Sequence, residues 1–182
     1  MRVISGDFRG RRLEAPKSFD VRPTSDKVKE SVFNIIQFQI AGARVLDLFS
    51  GTGQLGLETL SRGAAECVFV DSSQESIAIA RRNIELCGAG GAARTVRADA
   101  LEYIGRAEPF DIILIDPPYD TDFIEKCLRR IIEFDILKDS GIIVCESRDE
   151  LKMPETEPPY RKQREYRYGK IKITIYTKEA VL

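Results

Sequence analysis

Two short stretches of the 182-residue chain carry residue types at spacings that could do chemistry. In Asp47-Leu48-Phe49-Ser50-Gly51-Thr52-Gly53-Gln54-Leu55-Gly56, the glycines stand at G-x-G-x-x-G spacing, and Asp71 follows 20 residues after Gly51. Glycines in this arrangement let backbone approach a ligand closely, and an acid at that distance can accept from ribose hydroxyls. The second stretch is Asp116-Pro117-Pro118-Tyr119. Its two prolines stiffen the backbone and remove two N–H donors, so the exposed carbonyls act as pure acceptors.

Taken alone, the glycine loop fits a dinucleotide, and an NAD-dependent oxidoreductase is one reading. Asp47 weighs against it, because a carboxylate beside the loop repels a doubly charged pyrophosphate. S-adenosylmethionine (SAM) has an ammonium, a sulfonium, a ribose and an adenine, with no phosphate, and an acid suits it. The alternative for Asp47 is a carboxylate that merely caps the loop. Asp99, in Arg97-Ala98-Asp99-Ala100, can accept from the adenine amine or cap the helix that follows, or do both. The expected cofactor set is Asp47, Phe49, Ser50, Gly51, Gly53, Asp71, Ser72, Asp99 and Ala100.

The expected catalytic set is Asp116, Pro117, Pro118 and Tyr119. Acceptors together with an aromatic face suit a planar exocyclic amine on a base. The lone pair of such an amine is delocalised into the ring. Hydrogen bonds from both N–H groups to acceptors return electron density to nitrogen and favour attack on a methyl donor. Asp116 can take the proton, and Tyr119 can stack on a base drawn out of its helix or loop. These residues do not separate guanine from adenine N6 or from a protein amide.

Alternating elements must position the two stretches. A strand over 44–49, a helix over 53–62 and a strand over 66–70 are expected, followed by a helix to Cys87 opened by a Ser72-x-x-Glu75 capping box. Strands over 94–97, 110–115 and 141–146 are interleaved with helices over 100–104 and 123–133. Near-continuous apolar strands between helices read as a parallel sheet covered on both faces. In such sheets ligands sit beyond the carboxyl ends of the strands, where both motifs fall. Runs over 161–168 and 171–176 flank Gly169-Lys170. Ile171, Ile173 and Ile175 alternate there with Lys172, Thr174 and Tyr176, which predicts an antiparallel hairpin with one face buried. Residues 2–14 read as a short basic hairpin, and a helix is expected from Thr24 or Ser25 to about Gln39. The expected division is a hairpin extension over 1–22 and a catalytic domain over 23–182.

Composition narrows the classes. Histidine is absent, which removes Ser-His-Asp and Cys-His machinery and His-ligated zinc; no metal is expected. Cys67, Cys87, Cys127 and Cys145 have no C-x-x-C spacing and read as free thiols of a reducing cytoplasm. No apolar run exceeds four residues, against the ~20 needed to span a membrane, and eight Lys/Arg in the first 30 residues argue against a secretory signal. The net charge of −1 hides a segregation: +4 over 1–44, −10 over 45–159 and +5 over 160–182. Basic ends can neutralise phosphates, and Arg9, Arg11 and Arg12 are the first candidates. No coiled-coil pattern is present, and a monomer is expected.

The chain resembles the RsmD family of bacterial 16S rRNA (guanine-N2)-methyltransferases over essentially its whole length. The resemblance is carried by Gly10-Arg11-Arg12-Leu13, by Arg22-Pro23-Thr24-Ser25-Asp26-Lys27-Val28-Lys29-Glu30 with Phe33-Asn34-Ile35, by 46–53, by 57–64, by Asp116–Tyr119 and by Tyr168-Gly169. The Arg-Pro-Thr-Ser stretch is the most specific of these. The resemblance implies a class I SAM-dependent methyltransferase, Rossmann-like, with a seven-stranded mostly parallel sheet. It implies the small ribosomal subunit as partner and guanine 966 of its 16S rRNA as target. It also places Thr24 and Ser25 near the methionine end of the cofactor. Arg22 would serve cofactor or RNA, or pair with a nearby acid. Two positions depart from the family pattern: Gln54 replaces a small residue after the second loop glycine, and Asp71 replaces the Glu of many members.

Overall fold

In the computed structural model, which describes residues 1–16, 26–119 and 122–180, alternation of strand and helix builds a seven-stranded sheet. Strands β1 (Arg44–Leu48), β2 (Glu66–Asp71) and β4 (Phe110–Ile115) are buried along most of their length, whereas β3 (Ala93–Arg97) is a half-exposed edge. With β5 (Leu137–Arg148), β6 (Tyr160–Tyr168) and β7 (Ile171–Lys178), the order is β3-β2-β1-β4-β5-β7-β6. The first five are parallel to their neighbours, and β7 pairs antiparallel with both β5 and β6.

Order reverses between β1 and β4, which opens the crevice a ligand needs. Register decides what gathers there. Leu48 pairs with both Val70 and Ile115, Asp71 with Arg97, and Ile115 with Cys145. The residues that follow these pairs, Phe49, Ser72, Ala98, Asp116 and Glu146, therefore emerge along one edge.

Alternation along the strands feeds two cores. Val45, Cys67, Phe69, Ile112 and Leu114 pack with α1 (Asp26–Ile35), α3 (Gln54–Ser61) and α4 (Gln74–Cys87) through Val28, Phe33, Leu57 and Ile84. Leu46, Leu48, Val68, Ile113 and Ile115 pack on the other face with α5 (Ala100–Ile104) and α6 (Phe123–Phe134) through Ile104, Leu128 and Ile131. All four cysteines are buried free thiols, as expected. Among the described residues no helix is long and apolar enough to cross a membrane.

Four expectations change in detail. The single helix through Gln39 breaks at Ile36, and a four-residue helix α2 (Gln37–Ile40) follows. The strand expected over 141–146 extends to Leu137–Arg148, because Leu137 pairs with Phe110 across a register shift near Ser140, whose φ is 63°. Ser73 rather than Ser72 caps α4, accepting from the Ser76 N–H at 3.2 Å. The last hairpin forms, but its outer face is not solvated. Lys172, Thr174 and Tyr176 are buried with Ile173 and Ile175. The strand lies inside the sheet between β5 and β6, and Pro154 covers that face, its carbonyl accepting from the Tyr176 hydroxyl at 2.8 Å.

The amino-terminal segment turns back on itself with one bridge, between Arg2 and Arg12, instead of full strands. Tertiary contacts hold it. The fully buried Glu58 carboxylate accepts from the N–H groups of Ile4 and Ser5 and pairs with Arg62, while buried Lys29 donates to the Arg2 carbonyl.

Gly56 lies where α3 crosses β2. An added Cβ would stand 2.3 Å from Phe69 Cε1 and 2.7 Å from Cys67 Sγ, both fully buried. Gly56→Ala is expected to destabilise by ~1–3 kcal/mol through overpacking, despite the better helix propensity of alanine. Urea denaturation checks this as a lowered midpoint with unchanged slope.

Candidate active site

The end of β1 makes a tight passage. Phe49 has φ 60°, Gly51 54° and Gly53 79°, so three positions in the left-handed region turn the chain from strand into α3. Glycine carries two of them without Cβ strain. The turn is pinned from below, because Asp47 Oδ2 accepts from the Gly56 N–H at 2.9 Å in the first turn of α3. Only 1% of Asp47 is accessible. The loop-capping alternative is the one the structure shows. Buried and bonded to the loop, Asp47 is not exposed for direct contact with a ligand.

Asp71 closes the loop from the neighbouring strand. Its Oδ2 accepts from the Gly51 N–H at 2.9 Å and its Oδ1 from the Ser73 N–H at 2.8 Å. A carboxylate offers about four acceptor sites, so the half-exposed Asp71 retains capacity for ribose hydroxyls. Asp99 caps α5, its Oδ1 accepting from Leu101 and Glu102 at 2.9 and 3.1 Å. Ser72 is exposed, and Ala100 is buried at the foot of α5. The Phe49 ring meets Phe123 at 5.2 Å between centroids, walling the crevice toward α6. The Ser50 hydroxyl is buried with no hydrogen-bond partner among the described residues.

The second motif ends β4 as expected. Pro117 is buried, Pro118 is exposed, and Tyr119 is 36% exposed. The Tyr119 hydroxyl donates to Glu146 Oε1 at 2.9 Å, and the Arg148 guanidinium lies 5.5 Å from the ring centroid. Pro117, Pro118, Tyr119, Ile124, Glu146 and Arg148 contribute to the lining of a cavity of about 620 Å³ on the β5 side of this tip. Ligand pockets are typically ~300–1,000 Å³.

The electrostatics are acidic. Burial pushes the Asp116 carboxyl well above the usual carboxylate range, and the charges of Glu146 and then Asp47 push it further. Burial also raises the Tyr119 phenol, with Glu146 adding to the effect.

Sequence reasoning missed Glu146 and Arg148. The signal was a lone acid directly after the apolar run 142–145, the same pattern that marks Asp116 after 112–115. Arg9, Arg11 and Arg12 are exposed on the amino-terminal segment. Arg11 donates to the Leu86 carbonyl in the last turn of α4, which spans ~21 Å, so the structure does not bring Arg11 together with the strand-tip acids. Arg22, Thr24 and Ser25 lie outside the described residues.

Burial pushes the Asp47 carboxyl up to about 7 from an ordinary 3.8; the Gly56 N–H pulls the other way, and the charge of Asp71 adds a smaller push. The folded state thus binds an extra proton between about pH 4 and 7, and stability falls as pH rises through that window. Asp47→Asn keeps an acceptor for Gly56 and cannot ionise. Its thermal midpoint should match the parent near pH 4 and exceed it by on the order of 5–10 °C at pH 8. Thermal scans of both proteins across pH check this.

Residues 1–177 match the family described as Conserved hypothetical protein 95. Bacillus subtilis YlbH is 40% identical over 182 residues, covering 98% of this chain and 99% of its own. Escherichia coli Ribosomal RNA small subunit methyltransferase D is 33% identical over 181 residues, covering 99% of this chain and 91% of its own. The solved structure of Escherichia coli yhhF superposes with a TM-score of 0.89 at 32% identity, covering 100% of this chain and 99% of that one. With the seven-stranded sheet and the paired strand-tip motifs, these matches show that the chain belongs to the RsmD family and has the class I methyltransferase fold.

Proposed function

We propose that this chain transfers a methyl group from SAM to the exocyclic N2 amine of a guanine in small-subunit rRNA, guanine 966 being the position the resemblance implies. One observation carries the reading. Asp116 follows β4 beside the tip of β1, from which the glycine loop leaves, and the next three residues, Pro117 to Tyr119, line a cavity large enough for a nucleobase. Escherichia coli Ribosomal RNA small subunit methyltransferase D, whose name specifies small-subunit rRNA, aligns over nearly the whole chain.

The residues fit SAM. We assign Asp71 to the ribose hydroxyls and Asp99 to the adenine amine, each a carboxylate that also accepts from backbone N–H groups, and Ser50 offers a buried hydroxyl with no hydrogen-bond partner among the described residues. Thr24 and Ser25 are assigned to the methionine end on the resemblance alone. The acids around the loop favour a cation and oppose a pyrophosphate, which disfavours the oxidoreductase reading. Bound there, SAM supplies a methyl group on a cationic sulfur.

Asp116 and the Pro117 carbonyl accept the two N–H bonds of the amine and concentrate electron density on its nitrogen. With SAM held there, its methyl would pass from sulfur to that nitrogen, and Asp116, or water beside it, would take the proton the nitrogen releases. A cation held beside Asp116 would favour its ionised, accepting form. Tyr119, held by Glu146, stacks on the base. Adenine N6 of DNA or RNA is the second reading, since the tetrapeptide accepts either amine.

The basic amino-terminal segment, with Arg9, Arg11, Arg12 and Arg22, would engage phosphate on a structured small-subunit particle in the cytoplasm, with the enzyme acting as a monomer. Equal methylation rates on naked RNA and on the particle would oppose that substrate.

Mass spectrometry of small-subunit RNA from cells with and without the protein tests the proposal. Loss of an N2-methylguanine is expected, and loss of an N6-methyladenine instead would select the second reading. Asp116→Ala should abolish turnover while calorimetry shows SAM affinity within a few-fold of the parent. Asp71→Ala should weaken SAM binding by roughly 10–100-fold through lost ribose contacts and a loosened loop. Unchanged turnover in the first variant removes Asp116 from the mechanism, and binding of NAD in place of SAM sinks the whole assignment. Changing Arg11 and Arg12 to Ala together should raise the RNA concentration needed several-fold and flatten its salt dependence by a slope of roughly one to two. Titrations at several salt concentrations read both effects.

A further inference from the structure

Glu146 is a buried acid in the site for which methyl transfer alone supplies no role. We propose that Glu146 reads the target base, accepting a hydrogen bond from the N1–H of guanine while Asp116 takes the adjacent amine; this rests on the guanine reading above.

The backbone places the two acids as a pair. Ile115 and Cys145 are register partners on adjacent parallel strands, so Asp116 and Glu146 leave the sheet side by side, at the ~4.8 Å spacing of neighbouring strands. They share one small void with Lys29. Glu146 also lines the 620 Å³ cavity with Tyr119. Only 5% of it is accessible, and the Tyr119 hydroxyl fixes its Oε1 at 2.9 Å. The same contact links the stacking ring to the reading group, so a base seated on Tyr119 has its edge toward Glu146.

Donor arithmetic selects the base. Two adjacent acids favour a base edge that presents donors to both over one that presents a lone pair. Guanine offers N1–H and both hydrogens of N2 in a row, all donors, along one edge. Adenine offers its N6 hydrogens next to N1, which is a lone pair, and that lone pair would face a carboxylate. A site built to hydrogen-bond an N–H rejects an analogue lacking it far more strongly than an apolar pocket rejects a missing methylene. The acid pair thus supplies the discrimination between guanine and adenine that Asp116–Tyr119 lacks.

The test remakes the RNA substrate with 2-aminopurine at the target position. This base keeps the 2-amine but presents a lone pair at N1. The parent is expected to show kcat/KM at least ~100-fold lower on 2-aminopurine than on guanosine. Glu146→Gln can donate an amide N–H to that lone pair, so its ratio between the two substrates should collapse at least tenfold toward unity. Comparing ratios between parent and variant cancels the different intrinsic reactivity of the two amines. A parent that uses both substrates equally overturns the proposal, as does a variant that loses the same factor on both. The parent measurement stands even if Glu146→Gln fails to fold. Absence of any guanosine methylation by the parent would instead defeat the wider functional reading, so the two failures are distinguishable.

Discussion

Carboxyl groups held away from water at the carboxyl end of a parallel sheet are the constraint on which the site depends. Asp47, Asp116 and Glu146 end or nearly end three of the central strands; Asp47 and Glu146 are buried and Asp116 is half-buried. Burial raises the proton affinity of Asp47 and Asp116, with the charge of Asp71 adding to the first and those of Glu146 and Asp47 to the second. The arrangement suits a cationic methyl donor, whose field offsets part of the cost of that burial. A phosphate-bearing cofactor would meet repulsion at the same loop.

Holding such a site requires rigid surroundings. Asp47 ties β1 to the first turn of α3, and Asp71 ties β2 to the glycine loop. Glu58, deeper in α3, anchors the amino-terminal segment through two backbone N–H groups. One short helix therefore carries the loop, the packing against Phe69 and the grip on the basic segment. Tyr119 and Glu146 form the matching link on the other side, between the β4 tip and β5. The geometry of the reacting groups thus rests on backbone hydrogen bonds to carboxylates more than on long surface side chains, and such charge-assisted bonds are about twice as strong as neutral ones.

Much of this was legible from residue order. Apolar runs bounded by glycines marked the strands, and acids directly after those runs marked the tips. The hairpin at residues 160–178 was legible as pairing but not as burial. Alternation of Ile171, Ile173 and Ile175 with Lys172, Thr174 and Tyr176 normally means a half-exposed strand, yet β7 lies between two others and under Pro154. Lys178 follows the same logic: its ammonium pairs with Asp135 and Asp139, so a residue that reads as solvated is largely buried. Glu146 obeyed the rule that revealed Asp116 and was passed over because no motif frames it.

By itself the sequence determined the strand–helix alternation, the glycine loop and the identity of the acceptor groups, because these depend on neighbours within a few positions along the chain. Only the tertiary structure decided which oxygens remain available. It turned Asp47 inward to Gly56, set Asp99 on the first turn of α5, joined Glu146 to Tyr119 and left Arg11 at the far end of α4. Those outcomes depend on register between strands distant in sequence, and on which polar groups meet when water is excluded.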